Sequence, residues 1–257
     1  DNVSYIKTRL INKLRKLSNN LFKGEYETKI APDKIKNQKK TKKPKQLCNV
    51  WKSNYSFAQL ILSKQIAKLA TELTGWKGIR LNQDSLFWVP PKTGGVTMHQ
   101  DEVYQDWHVP GKIITVWIAL TDVSDKNAAL KYIRGSHKWK KMHKPLKNFF
   151  SGKDYKHSLS NFNQFKKDLM VTVKGKAGVV TFHHGRMWHG SGLNTSNNDR
   201  ISLSCHLMPS NSKFSKKVVN PVFSRYKKFT TNEMDENFFP VIWTSNNLSS
   251  KFIRRLK

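Results

Sequence analysis

Cysteine is nearly absent from this 257-residue chain, which contains only Cys48 and Cys205. Two thiols make no disulfide framework and no cysteine-based zinc site, and so few of them fit a reducing compartment. Long apolar runs are missing too. The strongest, IITVWIAL at 113–120, falls well short of the roughly 20 residues that span a bilayer, and its β-branched content reads as a buried strand. No hydrophobic leader precedes it: the chain starts at Asp1, which points to a removed targeting segment or to trimming. The expectation is a soluble, intracellular protein, with an organelle reached through such a segment as the variant. Acidic residues are scarce as well, 17 against 47 Lys and Arg, for a formal charge of +30. That imbalance selects anionic partners: nucleic acid, phosphorylated or carboxylated small molecules, or an acidic membrane surface. A biased coding composition that spreads Lys and Asn over a solvated surface accounts for it equally well. No internal repeat is visible.

What is present suffices for one sizeable domain, since 37% of the residues are hydrophobic. Val3, Ile6, Leu10, Leu14 and Leu17 recur at helical spacing with Lys and Arg between them, predicting a basic amphipathic helix. Residues 31–46 carry seven lysines and almost nothing apolar, so they read as a solvated connection. Residues 1–50 are thus expected to form a basic N-terminal helix and Lys-rich connection, with the main domain at 51–257. A second helix is predicted in SFAQLILSKQIAKLATELTGW, with Ser56 as N-cap and Gly75 at its stop. From about residue 78 short β-type runs follow: IRLNQDSLFWV, VTMHQD, KIITVWIAL, ALKYI, GVVTFHH and ISLSCHLM. Helices grouped ahead of such runs predict a mainly β fold with flanking helices, an antiparallel sandwich or barrel. The irregular Lys- and Asn-rich stretch at 138–170 reads as an insertion or lid.

Within MHQDEVYQDWH, at 98–108, His99 and Asp101 stand two apart. On a strand they would present an imidazole and a carboxylate to one point, as metal ligands do. A third ligand must come from elsewhere, and His108, His137, His143, His157, His183, His184, His189 and His206 are all available. His189 has the most distinctive setting, WHGSG, where glycines let the backbone bend or approach closely, with Arg200 eleven residues on.

The ordered series formed by HxD, the tryptophan of ITVWIAL, the Gly-Ser-His turn at 135–137, WHGSG and the spaced arginine resembles the phytanoyl-CoA dioxygenase-like family of iron(II)- and 2-oxoglutarate-dependent oxygenases. The likeness runs from LFWVPP at 86 to CHLMP at 205, about half the chain, with a looser echo in MDENFFPVIW. It implies a double-stranded β-helix, the cupin-like jelly roll, with Fe(II) held by His99, Asp101 and His189, and with 2-oxoglutarate and dioxygen as cosubstrates. Two imidazoles and one carboxylate on one face of an octahedron leave three positions open for a bidentate 2-oxo acid and dioxygen. By the same resemblance Arg200 pairs with the distal carboxylate of 2-oxoglutarate, Ser191 helps to hold it, Trp117 lines its pocket and Gln83 contributes beside them. One departure stands out. Many members carry a lysine before the paired prolines, whereas Val89 precedes Pro90 and Pro91 here. Asp101 is retained, unlike in halogenating relatives, whose chemistry needs that ligand position vacant.

The resemblance implies oxidative decarboxylation of 2-oxoglutarate coupled to C–H oxidation, as hydroxylation, desaturation or ring closure. Tyr104, Trp107, Arg186, Trp188 and Arg225 are expected to face the substrate, aromatic walls and fixed cations suiting a small acidic metabolite such as an amino-acid or acyl derivative. Two rivals differ in class. One is a nucleic-acid or protein oxygenase using the basic surface, although the lysines are not interleaved with aromatics. The other is a jelly-roll binding module without catalysis, against which the intact His99, Asp101, His189 and Arg200 argue.

Overall fold

The computed structural model describes residues 44–139, 165–251 and 253. The N-terminal helix predicted from Val3 to Leu17, most of the Lys-rich connection and the centre of the 138–170 insertion lie outside them. Strand β1 (Lys45–Cys48) comes first, followed by helices α1 (Val50–Ser53), α2 (Tyr55–Ile61) and α3 (Lys64–Thr74). The single helix expected at 56–76 is therefore two. Ser63 takes up extended backbone and caps α3 with its own hydroxyl, which accepts from Ile66 N–H; this local alternative breaks the run. Asn54 rather than Ser56 caps α2, accepting from the Ser56 N–H at 2.9 Å. Gly75 ends α3 as expected, at φ 70°, where any other residue would be strained.

Ten further strands follow: β2 (Gly78–Val89), β3 (His108–Val109), β4 (Ile114–Ala119), β5 (Leu130–Ile133), β6 (Met170–Thr172), β7 (Val180–His184), β8 (His189–Ser191), β9 (Arg200–Pro209), β10 (Lys213–Phe214) and β11 (Val241–Thr244). A six-stranded sheet runs β1-β2-β9-β4-β7, with β11 also on β2; a three-stranded sheet runs β6-β5-β8, and β3 pairs with β10. All the ladders are antiparallel, and the two larger sheets make the jelly roll. Pro90 stops β2 because it has no N–H for the ladder. The sheet begins ahead of residue 51, since Lys45–Cys48 pairs with Trp88–Ser85. No helix among the described residues is long and apolar enough to cross a membrane.

Strand alternation sorts the large sheet into two faces. Leu86 of β2, Ile114, Val116 and Ile118 of β4, and Leu203, Cys205 and Leu207 of β9 join the helices in the main core. The residues between them face the other way, in cross-strand rows. Thr115 sits opposite His183 on one side and His206 on the other; Trp117 sits opposite Thr181 and Ser204. This second face forms one wall of the site.

Candidate metal centre

His99 does not lie on a regular strand, as the HxD spacing suggested. It forms an isolated bridge with His189, N–H to O at 2.8 and 3.0 Å in the two directions. β8 begins at His189, and Met187, which would face Asp101 in this antiparallel register, turns its N–H to His184 O; no ladder therefore reaches Asp101, which instead opens a 3-10 turn (Asp101–Tyr104). That turn is pinned by Glu102 N–H to Gly185 O at 3.0 Å. Close approach of the two histidine segments requires Gly190: a Cβ there would stand 2.9 Å from Met98 Cα and N and from Val96 O. The Gly-Ser-His turn contributes from behind, where the buried Ser136 hydroxyl accepts from Trp188 N–H at 2.8 Å and so fixes the approach to His189.

One ligand atom each from His99, Asp101 and His189 lies within 4.8 Å of the others, and all three residues are buried. Asp101 Oδ1 stands 3.3 Å from His99 Nε2 and 3.5 Å from His189 Nε2. Nδ1 of His99 lies 2.7 Å from Thr97 O, and Nδ1 of His189 lies 2.8 Å from Met187 O. A carbonyl only accepts, so each Nδ1 carries the proton and each Nε2 turns a lone pair toward the shared point. Burial pushes the His189 imidazole well below its usual range, which favours that neutral form. For Asp101 burial pushes up, but the surrounding imidazoles, those of His189 and His206 first, and the hydrogen bond from His183 outweigh it and hold the carboxyl well below the usual carboxylate range. Two neutral nitrogens and one carboxylate oxygen on one side suit a divalent first-row metal with open positions opposite. The donor set thus fits iron(II).

A cavity joins these three residues to Arg200, with Phe87, Val96, Trp117 and Leu130 as apolar walls. Arg200 is 2% exposed, and its guanidinium donates to Ala128 O (Nε, 3.0 Å), Ser202 Oγ (Nη1, 2.7 Å) and Ser191 Oγ (Nη2, 3.0 Å). Among the described residues no carboxylate pairs with it, and burial pushes its pKa down to about 10, so it stays charged at neutral pH. Ser191 Oγ also accepts from Val96 N–H at 2.9 Å. With both lone pairs engaged, its hydroxyl proton is left to donate. A buried cation beside a poised donor is a site for an anion.

The other expected residues are distributed unevenly. Trp117 lines the cavity. Gln83 does not: its amide turns to Cys48 Sγ and Ser85 Oγ, at 3.0 and 3.2 Å. Trp107 is fully buried against Phe223, Phe214 and Phe239, and Trp188 is packed with Met98 and Ile133, so both rings pack against the protein core and not the cavity. Arg186 donates to Trp139 O at 2.6 Å, and the exposed Arg225 reaches back to Val222 O. Tyr104 is half-buried at the end of the 3-10 turn and is not part of the cavity wall. Sequence reasoning passed over Thr115 and Tyr132, and weighed His183 and His206 only as metal ligands. Spacing held a signal for two of them: Thr115 is two residues before Trp117 and His206 six after Arg200, even spacings that put each pair on one strand face.

The profile of the phytanoyl-CoA dioxygenase (PhyH) family matches residues 9–202. The chain belongs to this family. Among individual relatives, a probable alpha-ketoglutarate-dependent hypophosphite dioxygenase of Stutzerimonas stutzeri is 33% identical over 141 residues, covering 53% of this chain and 47% of the relative. A phytanoyl-CoA dioxygenase domain-containing protein 1 of Danio rerio is 27% identical over 157 residues, 60% of this chain and 53% of its own length. The chain thus spans about half the length of the curated relatives it matches. Among solved structures, the epimerase SnoN in complex with Fe3+, alpha ketoglutarate and nogalamycin RO superposes with a TM-score of 0.66 at 20% identity, over 92% of this chain and 89% of SnoN. That likeness bears on the fold and agrees with the jelly roll.

Proposed function

We propose that this family member is an iron(II)- and 2-oxoglutarate-dependent oxygenase that oxidises a small acidic molecule. The observation that carries the reading is that one cavity is lined both by the three metal-facing donors and by the buried Arg200, with which no carboxylate pairs among the described residues. His99 Nε2, Asp101 Oδ1 and His189 Nε2 would hold iron(II). The chemistry available from iron(II) there is the oxidative decarboxylation of 2-oxoglutarate by dioxygen, to succinate and carbon dioxide, coupled to oxidation of a substrate C–H bond. Arg200 and the Ser191 hydroxyl would take the distal carboxylate of the cosubstrate, the guanidinium supplying charge and the serine a directed proton. Ser202 and Ala128 O keep the guanidinium from rotating. Trp117, Phe87 and Leu130 shield the space between from water, which strengthens each of these polar contacts.

An acidic substrate is favoured by the charge of +30 and by the lining of the cavity, where Asp101 is the one carboxylate among the described residues. Because the S. stutzeri relative is named for hypophosphite, a small oxyanion is included among the substrates to be tried. The test is succinate release under iron(II) and 2-oxoglutarate across amino acids, acyl derivatives and hypophosphite, with product masses. Stimulated release with a product gaining one oxygen marks hydroxylation, and loss of a hydrogen pair marks desaturation or ring closure. A protein that neither binds iron(II) nor decarboxylates 2-oxoglutarate would overturn the proposal and favour a binding module.

A further inference from the structure

Asp101 Oδ1 faces the metal point, and the surroundings of the other oxygen, Oδ2, are more elaborate than a ligand needs. Thr115 Oγ1 donates to it at 2.7 Å and His183 Nε2 stands 3.2 Å from it. Behind Thr115, His206 Nδ1 lies 2.8 Å from the same hydroxyl. Behind His183, Tyr132 Oη lies 3.0 Å from Nδ1 and 2.7 Å from Thr181 Oγ1. Proton accounting gives these chains a direction. A hydroxyl has one proton, so if Thr115 gives it to the carboxylate, His206 must donate through Nδ1 to Thr115. A carboxylate only accepts, so His183 carries its proton on Nε2 and is free to accept at Nδ1 from the Tyr132 hydroxyl, which in turn can accept from Thr181.

Two relays thus end on one oxygen: His206 to Thr115, and Thr181 through Tyr132 to His183. Their members come from both sheets, Tyr132 from β5 of the small one and the rest from β4, β7 and β9 of the large one. Thr115 is the direct cross-strand neighbour of both His183 and His206, so the ladder register sets the spacing of the donors. None of these residues is needed to supply a ligand atom.

We infer that Thr115 and His183 are positioning residues that hold Asp101 as a one-oxygen metal ligand, with His206 and Tyr132 fixing the orientation of the two donors. The inference rests on the oxygenase reading of the site. A carboxylate whose Oδ2 is doubly engaged cannot swing to chelate through both oxygens. Chelation would occupy a position that a bidentate 2-oxo acid and dioxygen together require. Loss of either donor frees Oδ2 to turn, and the site then both binds metal less well and makes less room for the cosubstrate.

The test is Co(II) binding to the full chain without oxygen, followed by calorimetry and visible absorption, before and after 2-oxoglutarate. Thr115→Val and His183→Phe are each expected to weaken Co(II) binding about 10- to 100-fold, to change the Co(II) absorption envelope, and to demand more 2-oxoglutarate for the spectral change seen in the parent. Thr115→Ser, which keeps the hydroxyl, and His183→Gln, which keeps an N–H donor, are expected to recover most of the loss. A merely structural role would not be rescued donor by donor, and it would not alter the spectrum of the metal that remains bound. Melting curves of the apo proteins identify a variant that has failed to fold, in which case the donor-retaining variant at the same position decides. Parental affinity and spectrum in both Thr115→Val and His183→Phe, with binding lost in His99→Ala, would overturn the clamp and leave the oxygenase reading standing. Co(II) binding undiminished in His99→Ala would instead remove the oxygenase reading, and the clamp with it.

Discussion

Asp84 and Asp101 are both buried aspartates, and they are served by opposite faces of one sheet. Asp84, on β2, is paired in register with Cys205 and lies on the helix-packed face, where its Oδ2 accepts the Val50 N–H that opens α1 at 2.8 Å. Its Oδ1 has no hydrogen-bond partner among the described residues. Asp101 is reached from the cavity face by Thr115 and His183, and its other oxygen lies between His99 and His189. Burial pushes the Asp84 carboxyl up to about 7 against a few backbone N–H groups, while imidazoles and side-chain hydrogen bonds hold Asp101 far down. Depth is shared, so the difference comes from partners: one carboxyl is kept as a neutral-leaning helix cap and the other as a permanent anion. Buried charge in this fold marks function only where donors converge on it.

That contrast breaks first at the ligand. Asp101→Ala should reduce succinate formation and metal binding to background, while Asp84→Asn, which keeps shape and hydrogen-bond acceptor, should leave turnover within about twofold of the parent. Comparable losses in both would mean that the two carboxyls do not differ as argued. Next comes the anion end of the cavity. Arg200→Ala removes a charge-assisted pair and should raise the 2-oxoglutarate requirement by about 100-fold or more, with a smaller change in the rate at saturation. A fall in saturating rate with an unchanged cosubstrate requirement would remove Arg200 from the carboxylate site.

The two carboxyls were not equally legible in the sequence. Asp101 could be singled out because His99, WHGSG and Arg200 stand in a fixed order around it, and those four side chains do meet one cavity. Asp84 gave no sign, since a buried cap needs only a backbone N–H from a segment some thirty positions away. The relay behind Asp101 was half legible. Even spacing put Thr115 with Trp117 and His206 with Arg200, but the pair His183 and His184 could be sorted only by register: His183 faces Thr115 across the ladder, and His184 is half-exposed. Aromatic residues next to the motif misled. Trp107 is near Asp101 in sequence, yet its packing partners Phe214, Phe223 and Phe239 lie more than a hundred positions downstream, and no local pattern announces them. The short β1 was masked by the lysines before it, although LCNV interrupts that run with apolar residues that pack on β2 and α1.

Stability should carry the Asp84 side of the contrast. A carboxyl whose folded value is raised from 3.8 to about 7 contributes stability that is complete below the unfolded value and is lost as pH climbs through the folded one. The advantage of Asp84→Asn over the parent in urea midpoint should therefore grow between pH 4 and pH 8, by roughly 2–4 kcal/mol in unfolding free energy. A pH-independent difference would show that Asp84 is ionised or relaxed in the fold.

The smallest expected effect applies the same comparison to histidine. His183, beside Asp101, has partners at both ring nitrogens; His108 is 2% exposed and has none among the described residues. Burial pushes His108 down to about 4, so the folded protein resists its protonation while the unfolded chain accepts a proton near 6.5. A depressed histidine contributes stability that is present above the unfolded value and lost as pH falls from about 6.5 toward 4. At pH 5 the parent should accordingly be less stable than at pH 8 by about 2 kcal/mol from this group alone. His108→Leu, similar in volume and without ring nitrogens to desolvate, should abolish that component and raise the melting temperature more at pH 5 than at pH 8, with metal binding unchanged. Equal shifts at the two pH values would mean that the ring finds a proton acceptor when charged, and the contrast between partnered and unpartnered buried groups would then fail for histidine while standing for the carboxyls.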